Sequence, residues 1–201
     1  MTKDFRGLTE DDIRSSVEAY AAAPMERDGF RNAAVLVPLL DVDGEWHLLF
    51  TKRSEDLEHH KGQVSFPGGA IEHGERPEEA AVRETFEDIS IDSGHIHLAH
   101  RLDDLWTPSG FIITPVVGFI HNLASLHPSA AEVSRVFTVP LLFFARVDAA
   151  EIRRVSVNGY SRNVYFYHFD GETIWGATAF IIRNLLIVLG LVQDEDAGPR
   201  V

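Results

Sequence analysis

Residues 68–91, GGAIEHGERPEEAAVRETFEDISI, constrain this chain more than any other stretch. The segment opens as a glycine-rich turn and continues as a helix, predicted over residues 77–89. Pro77 suits its first position, where a missing N–H is no loss. Ala80, Ala81, Thr85 and Ile89 supply a small-residue packing face, and Ser90, Asp92 and Gly94 end the helix. Glu84, Glu87 and Asp88 fall at i, i+3 and i+4. That spacing points all three carboxylates from one face, with Cβ atoms about 5–6 Å apart. Like charges so placed repel by roughly 0.2–0.5 kcal/mol per pair. Two readings fit them: a site for Mg²⁺ or another hard divalent cation, which takes carboxylate oxygens, or a solvated acidic face. Spacing alone does not choose between the two.

The chain has 201 residues, enough for one domain with a core of ordinary size. With 45% hydrophobic and 24% charged residues it has a globular balance. A formal net charge of −13 argues against a nucleic-acid or anionic-membrane surface, since phosphate binding needs clustered Lys and Arg. It leaves room for one anionic small substrate if a metal bridges the charges. Cysteine is absent, which removes disulfides, thiolate metal sites and Cys nucleophiles. The N-terminus lacks an apolar signal core. The longest apolar run, residues 180–192, is broken by Arg183 and Asn184 and is short for a bilayer. The expectation is a soluble, cytoplasmic protein.

Residues 8–23 read as an amphipathic helix capped by Thr9, with Asp12 in its first turn and an apolar stripe of Ile13, Val17 and Tyr20. Pro24 is expected to stop it. The stripe serves either packing or, in a homodimer, contact with a second subunit. Residues 33–40 (AAVLVPLL) form a continuous apolar run, the mark of a buried strand, and residues 41–44 (DVDG) a turn. Residues 46–52 complete a hairpin. A polar stretch follows, then a short strand at 64–66 and a turn at 67–69. Residues 95–102 and 112–120 read as strands around a loop at 106–111. Residues 133–139 read as a short extended piece, and 141–144 with 149–155 begin a segment of no assignable type. Residues 157–160 read as a turn, 163–169 as a strand, and 175–191 as a second long, buried helix. The expected organisation is an N-terminal helical extension (1–30), a main domain (31–192) and a flexible tail (193–201), with a mixed sheet between helices.

The central stretch resembles the Nudix box. Gly69 opens it, Glu75 follows at the family's spacing, Arg83-Glu84 and Glu87-Asp88 take their positions, and Ile91 closes it. Three positions depart from the pattern: Thr85 replaces an aliphatic residue, Asp88 the second Glu, and Ser90 a Gly. Immediately upstream, residues 49–54 (LFTKRS), Gly62 and residues 66–69 (FPGG) resemble the signature of the coenzyme A pyrophosphatase subfamily. There Phe50 stands for a Leu, and Glu58 for an Arg, reversing a charge. Asp103-Asp104, Thr107-Pro108, Gly110-Phe111, Thr114-Pro115, Glu132-Val133 and Trp175-Gly176 extend the likeness, which covers residues 33–182.

The resemblance implies a Nudix-type α/β/α sandwich and metal-dependent attack of water on a nucleoside diphosphate derivative. For this chain that means coenzyme A or acyl-CoA, giving 3′,5′-adenosine bisphosphate and (acyl-)4′-phosphopantetheine. Alternatives are another nucleoside diphosphate derivative such as ADP-ribose, and a catalytically weakened ligand-binding protein. The implied cofactor is Mg²⁺ or Mn²⁺, held by Glu84, Glu87, Asp88 and the Gly69 carbonyl. Arg83 and Glu75 would orient the carboxylates; without the box, a surface ion pair would be the plainer reading of both. Glu132 is a fourth ligand or general base, or else an exposed loop acid. Arg53, Ser54, Lys61, Gln63 and Phe66 are the substrate-binding candidates, with Lys52 a further nearby cation. His59 and His60 read as surface more readily than as phosphate donors. Phe66, Trp106 and Phe111 fit a core or lid more readily than a base-stacking role. Asp103 and Asp104 read as solvated turn acids before metal or ribose ligands.

Overall fold

A computed structural model describes residues 7–55, 61–157 and 160–193, with backbone alone at 156, 157 and 160–162. The chain runs α1 (Glu10–Glu18), β1 (Arg31–Val42), β2 (Glu45–Arg53), β3 (Val64–Ser65), β4 (Gly68–Ala70) and α2 (Pro77–Ile89). It continues with β5 (Ile96–Arg101), β6 (Leu105–Trp106), β7 (Phe111–Ile120), β8 (Val133–Pro140) and α3 (Leu141–Phe144). It closes with β9 (Ala150–Val157), β10 (Tyr160–Phe169), β11 (Glu172–Trp175) and α4 (Gly176–Val188).

Strands β1 to β8 form one mixed sheet, in which β1 and β7 run parallel and the other pairs antiparallel. Its two faces are both covered, so its central strands are apolar throughout. In β1, Ala34, Leu36 and Leu40 face one way and Val37 and Leu39 the other. The first group packs with Ala80, Ala81 and Ile89 of α2. The second packs with Ile13 and Val17 of α1 and with Ile181, Ile182, Leu185 and Leu186 of α4. The result is an α/β/α layering, as the sequence implies.

The β1–β2 hairpin places the site. Its strands pair only where residues 39–42 meet residues 45–48. Beyond that point they part, and residues 64–70 fill the opening. There β3 pairs with β2 at Thr51 and Lys52, and β4 pairs with β1 at Ala33, Ala34 and Val35. The Leu36 N–H donates to the Pro67 carbonyl at 2.9 Å. Residues 68 and 69, predicted as turn, are therefore strand. Gly68 has to be glycine, because a Cβ there would collide with the Ala34 carbonyl and the Val35 backbone.

Helix α1 is shorter than predicted. A Thr9–Asp12 capping box opens it, and it ends at Ala19, well before Pro24. Tyr20 lies outside the helix and donates to Asp103 at 2.8 Å. Strand β11 and the separate three-stranded sheet β11–β10–β9 are absent from the sequence reading, which has helix where β11 ends at Trp175. The unassigned segment, 141–144 with 149–155, resolves into α3 and the start of β9. Residues 158 and 159 of the predicted turn, and 194–201 of the predicted tail, lie outside the described residues. Among the described residues no helix is long and apolar enough to cross a membrane.

Candidate active site

Helix α2 starts at Pro77, with the Glu79 carboxylate accepting the Arg76 N–H at 2.8 Å. It ends at Ser90, whose backbone is left-handed (φ 58°) and whose N–H donates to the Phe86 carbonyl at 2.8 Å. The following connection folds back on this end. His127 N–H donates to the Ile89 carbonyl at 3.0 Å, and Ser129 N–H to the Asp88 carbonyl at 2.8 Å. These bonds satisfy helix carbonyls that would otherwise lack partners. They also bring residue 132, distant in sequence, to the acids of α2. The Glu132 carbonyl accepts the Ser54 N–H at 2.8 Å, and the Gln63 carbonyl accepts the Arg53 N–H at 3.0 Å. The end of β2, the end of α2 and the start of β8 therefore meet at one place.

Arg83 is the hub of the acidic face. Its guanidinium grips Glu75 with two bonds, Nε to Oε1 at 2.9 Å and Nη2 to Oε2 at 3.0 Å. Its Nη1 donates to Glu84 at 2.9 Å and to Glu87 at 3.2 Å, and its Nη2 to the Ala70 carbonyl at 3.0 Å. Two-pronged pairing of this kind fixes orientation as well as charge. It holds the Glu75 carboxyl below the usual carboxylate range, chiefly through the hydrogen bonds. Asp88 has a different setting. It is 6% exposed, and its Oδ2 accepts the Gly68 N–H at 3.1 Å. Burial, and then the charges of Glu132 and Glu84, push its carboxyl up to about 6 against that hydrogen bond and the pull of Arg53. Glu84 is also raised, first by burial and then by Glu87 and Glu132, although Arg83 opposes this. Gly69 lies directly against Glu84, and a Cβ there would sit on the Glu84 carboxylate.

The three acids of α2 thus share a helix face but not one environment. Glu87 stays half exposed on Arg83, while Asp88 turns under the helix end toward Gly68. Among the described residues, no three of Glu84, Glu87, Asp88 and Glu132 bring ligand atoms within 4.8 Å of one another. Their chemistry nevertheless suits a hard divalent cation. Glu84, Asp88 and Glu132 are anionic oxygen donors, the charge of Glu132 raises the proton affinity of both Glu84 and Asp88, and a cation among them would relieve that repulsion.

The other predicted residues distribute as follows. The Arg53 Nε is buried without a hydrogen-bond partner among the described residues, and the Arg53 charge acts on Asp88. Ser54 is buried beside it and Lys61 is exposed. Phe66 is 2% exposed and stacked on Phe50 at 4.9 Å, so its ring belongs to the core and presents no face to a substrate. Lys52 is committed to Glu172 at 3.0 Å, and Arg135 joins that carboxylate at 3.1 Å. Trp106 and Phe111 lie under the guanidinium groups of Arg27 and Arg31, at 5.0 and 4.2 Å. Asp103 and Asp104 are not solvated turn acids. Asp103 accepts from Tyr20 and the Ala23 N–H, and Asp104 from the Met25 N–H and Thr114. Together they strap residues 20–25 to the domain. Nothing local in the sequence announces these partners, which lie some eighty positions away. Glu58, His59 and His60 lie outside the described residues. An open groove of about 570 Å³ runs along α2 past Val82 and Phe86 and reaches this cluster only at Arg83.

The NUDIX domain pattern matches residues 30–151. An uncharacterized Nudix hydrolase NudL of Photorhabdus laumondii is 37% identical over 79% of this chain and 84% of its own. NudL of Yersinia enterocolitica is 36% identical over 77% of this chain and 79% of its own. NudL of an Enterobacter strain is 34% identical over 92% of this chain and 96% of its own. With a helix bearing Arg83, Glu84, Glu87 and Asp88 behind Gly69, and a domain match spanning most of its length, the chain belongs to the Nudix hydrolase family.

Proposed function

We propose that this Nudix hydrolase splits the diphosphate of coenzyme A or acyl-CoA into 3′,5′-adenosine bisphosphate and (acyl-)4′-phosphopantetheine. The observation carrying this reading is the upstream segment. Residues 49–54, Gly62 and residues 66–69 resemble the coenzyme A pyrophosphatase signature. Within that segment, Arg53 holds a buried donor with no hydrogen-bond partner among the described residues, beside the α2 acids. An anionic diphosphate would satisfy that donor with a charge-assisted bond. Ser54, Lys61 and Gln63 belong to the same stretch and complete the proposed substrate side.

In the reaction, a water oxygen forms a bond to phosphorus and the bridging P–O bond breaks. Glu84, Glu87, Asp88 and the Gly69 carbonyl would hold Mg²⁺ or Mn²⁺. The bound cation would neutralise diphosphate charge and make hydroxide available near neutral pH. Arg83 and Glu75 act as positioning residues that fix Glu84 and Glu87. Glu132 stands at the cluster to take the proton from the attacking water, or to serve as a further ligand.

A second reading keeps the chemistry and changes the substrate to one such as ADP-ribose. Its motive is Glu58, which puts a negative charge where the signature has Arg. A panel of coenzyme A, 3′-dephospho-coenzyme A, ADP-ribose and a dinucleoside polyphosphate, assayed with Mn²⁺, separates the two. Highest kcat/KM for coenzyme A supports the first reading, and preference for a ligand without the 3′-phosphate supports the second.

A further inference from the structure

A second cluster of metal-ligating side chains lies away from α2. Strands β5 and β7 pair with His97 opposite Phe119 and Ile96 opposite Ile120. Residues 119 and 121 share a face, as alternate positions along a strand do. His97 and His121 therefore stand on the face that carries Phe119, which is the face covered by α1. Their rings lie 4.5 Å apart between centroids. Glu10, in the first turn of α1, brings one carboxylate oxygen to 3.6 Å from His121 Nε2. One ligand atom from each of Glu10, His97 and His121 lies within 4.8 Å of the other two.

Two features give this trio the character of a site. Its donors are two imidazoles and one carboxylate, the mixed set that borderline ions such as Zn²⁺ take and that Mg²⁺ does not favour. Its carboxylate is held. Arg14 binds the other face of the group, with Nη2 on Glu10 Oε1 at 2.9 Å, while its Nη1 donates to the Leu98 carbonyl at 3.1 Å. The Oε2 atom is thereby left directed at His121. Tetrahedral ligands at about 2.0–2.1 Å from an ion stand roughly 3.4 Å apart, so the carboxylate–imidazole pair already has the needed span. His97 and His121 are exposed, and rotation of their side chains closes the remainder at little cost.

The geometry points to a Zn²⁺ site formed by Glu10, His97 and His121, with an open fourth position for water, that clamps α1 onto edge strand β5 and the end of β7. The trio lies on the sheet face that carries α1, opposite the face that carries α2, so this site is separate from the α2 acids and independent of the substrate assigned to them.

The test uses the full-length chain, stripped of metal and then held in excess Mg²⁺ to occupy the oxygen-rich cluster. Zn²⁺ is titrated by calorimetry into wild type, His97→Ala, His121→Ala and the control His127→Ala. The expected result is a Mg²⁺-resistant Zn²⁺ event in wild type and His127→Ala that weakens at least tenfold in His97→Ala and in His121→Ala. Zn²⁺ should also slow amide exchange over residues 10–18 in wild type and leave it unchanged in His121→Ala. Equal Zn²⁺ binding in all four proteins overturns the assignment, as does the absence of any Mg²⁺-resistant event in wild type. Because the two histidines are exposed, their variants should fold as wild type does, which circular dichroism of all four proteins checks.

Discussion

Asp88 offers the sharpest test of the site's electrostatics. It is a buried carboxyl facing Glu84 and Glu132, and its proton affinity rises from an ordinary 3.8 to about 6. The sign follows from linkage. The folded state holds this proton more tightly than the unfolded state, so the stabilising contribution is complete below pH 3.8 and is lost as pH rises through about 6. The full rise corresponds to at most about 3 kcal/mol at higher pH, and partial solvent screening brings the expected effect to about 2 kcal/mol. Asp88→Asn removes the charge and keeps the shape. Its amide oxygen can still accept the Gly68 N–H, and its NH₂ can donate to Glu84 or Glu132. In chelator at pH 7.5, urea denaturation should show Asp88→Asn more stable than wild type by about 2 kcal/mol. At pH 4 the gap should close. Excess Mg²⁺ should reverse the order by stabilising only wild type. An Asp88→Asn protein no more stable than wild type in chelator at pH 7.5 would refute the claim that Asp88 is a destabilising anion awaiting a cation.

Three further outcomes follow from the same geometry. Ser90→Gly should stabilise the fold by about 1 kcal/mol, because Ser90 holds a left-handed conformation that glycine adopts without penalty; thermal melts of the two proteins decide this. Gly69→Ala should lower kcat/KM on the order of 100-fold, since its methyl group would displace the Glu84 carboxylate; unchanged turnover would remove Gly69 and Glu84 from the site. Arg83→Gln should cost 10–100-fold in activity and should also change the acid limb of stability. Glu75 gains from Arg83 above its ordinary 4.5, and that gain fades as pH falls through its depressed value. The stability gap between wild type and Arg83→Gln should therefore narrow in acid.

The parts of the fold that were legible in sequence are those set by local pattern. The apolar runs of β1 and β7, the Pro77 start of α2 and the Thr9 cap each follow from a short stretch of residues. What escaped reading depends on distant partners. Asp103 and Asp104 look like turn acids until residues 20–25 arrive to be held. Residues 68 and 69 look like turn until the opened hairpin supplies strands to pair with. Strand β11 is only four residues long and gains its identity from β10. Among the departures from the box, Thr85 has a local answer: its buried hydroxyl donates to the Ala81 carbonyl at 2.6 Å, one turn back. Asp88 needed the fold, since only β4 shows what its shorter side chain reaches.

The proposed hydrolysis of coenzyme A depends on the α2 carboxylates. The most direct measurement is product analysis after incubating wild type and Glu87→Gln with coenzyme A and Mn²⁺, each repeated in chelator. The expected products are 3′,5′-adenosine bisphosphate and 4′-phosphopantetheine in equal amounts from wild type with metal, with both lost in chelator and in Glu87→Gln. Intact coenzyme A in the wild-type reaction, or equal product from Glu87→Gln, would contradict the proposal.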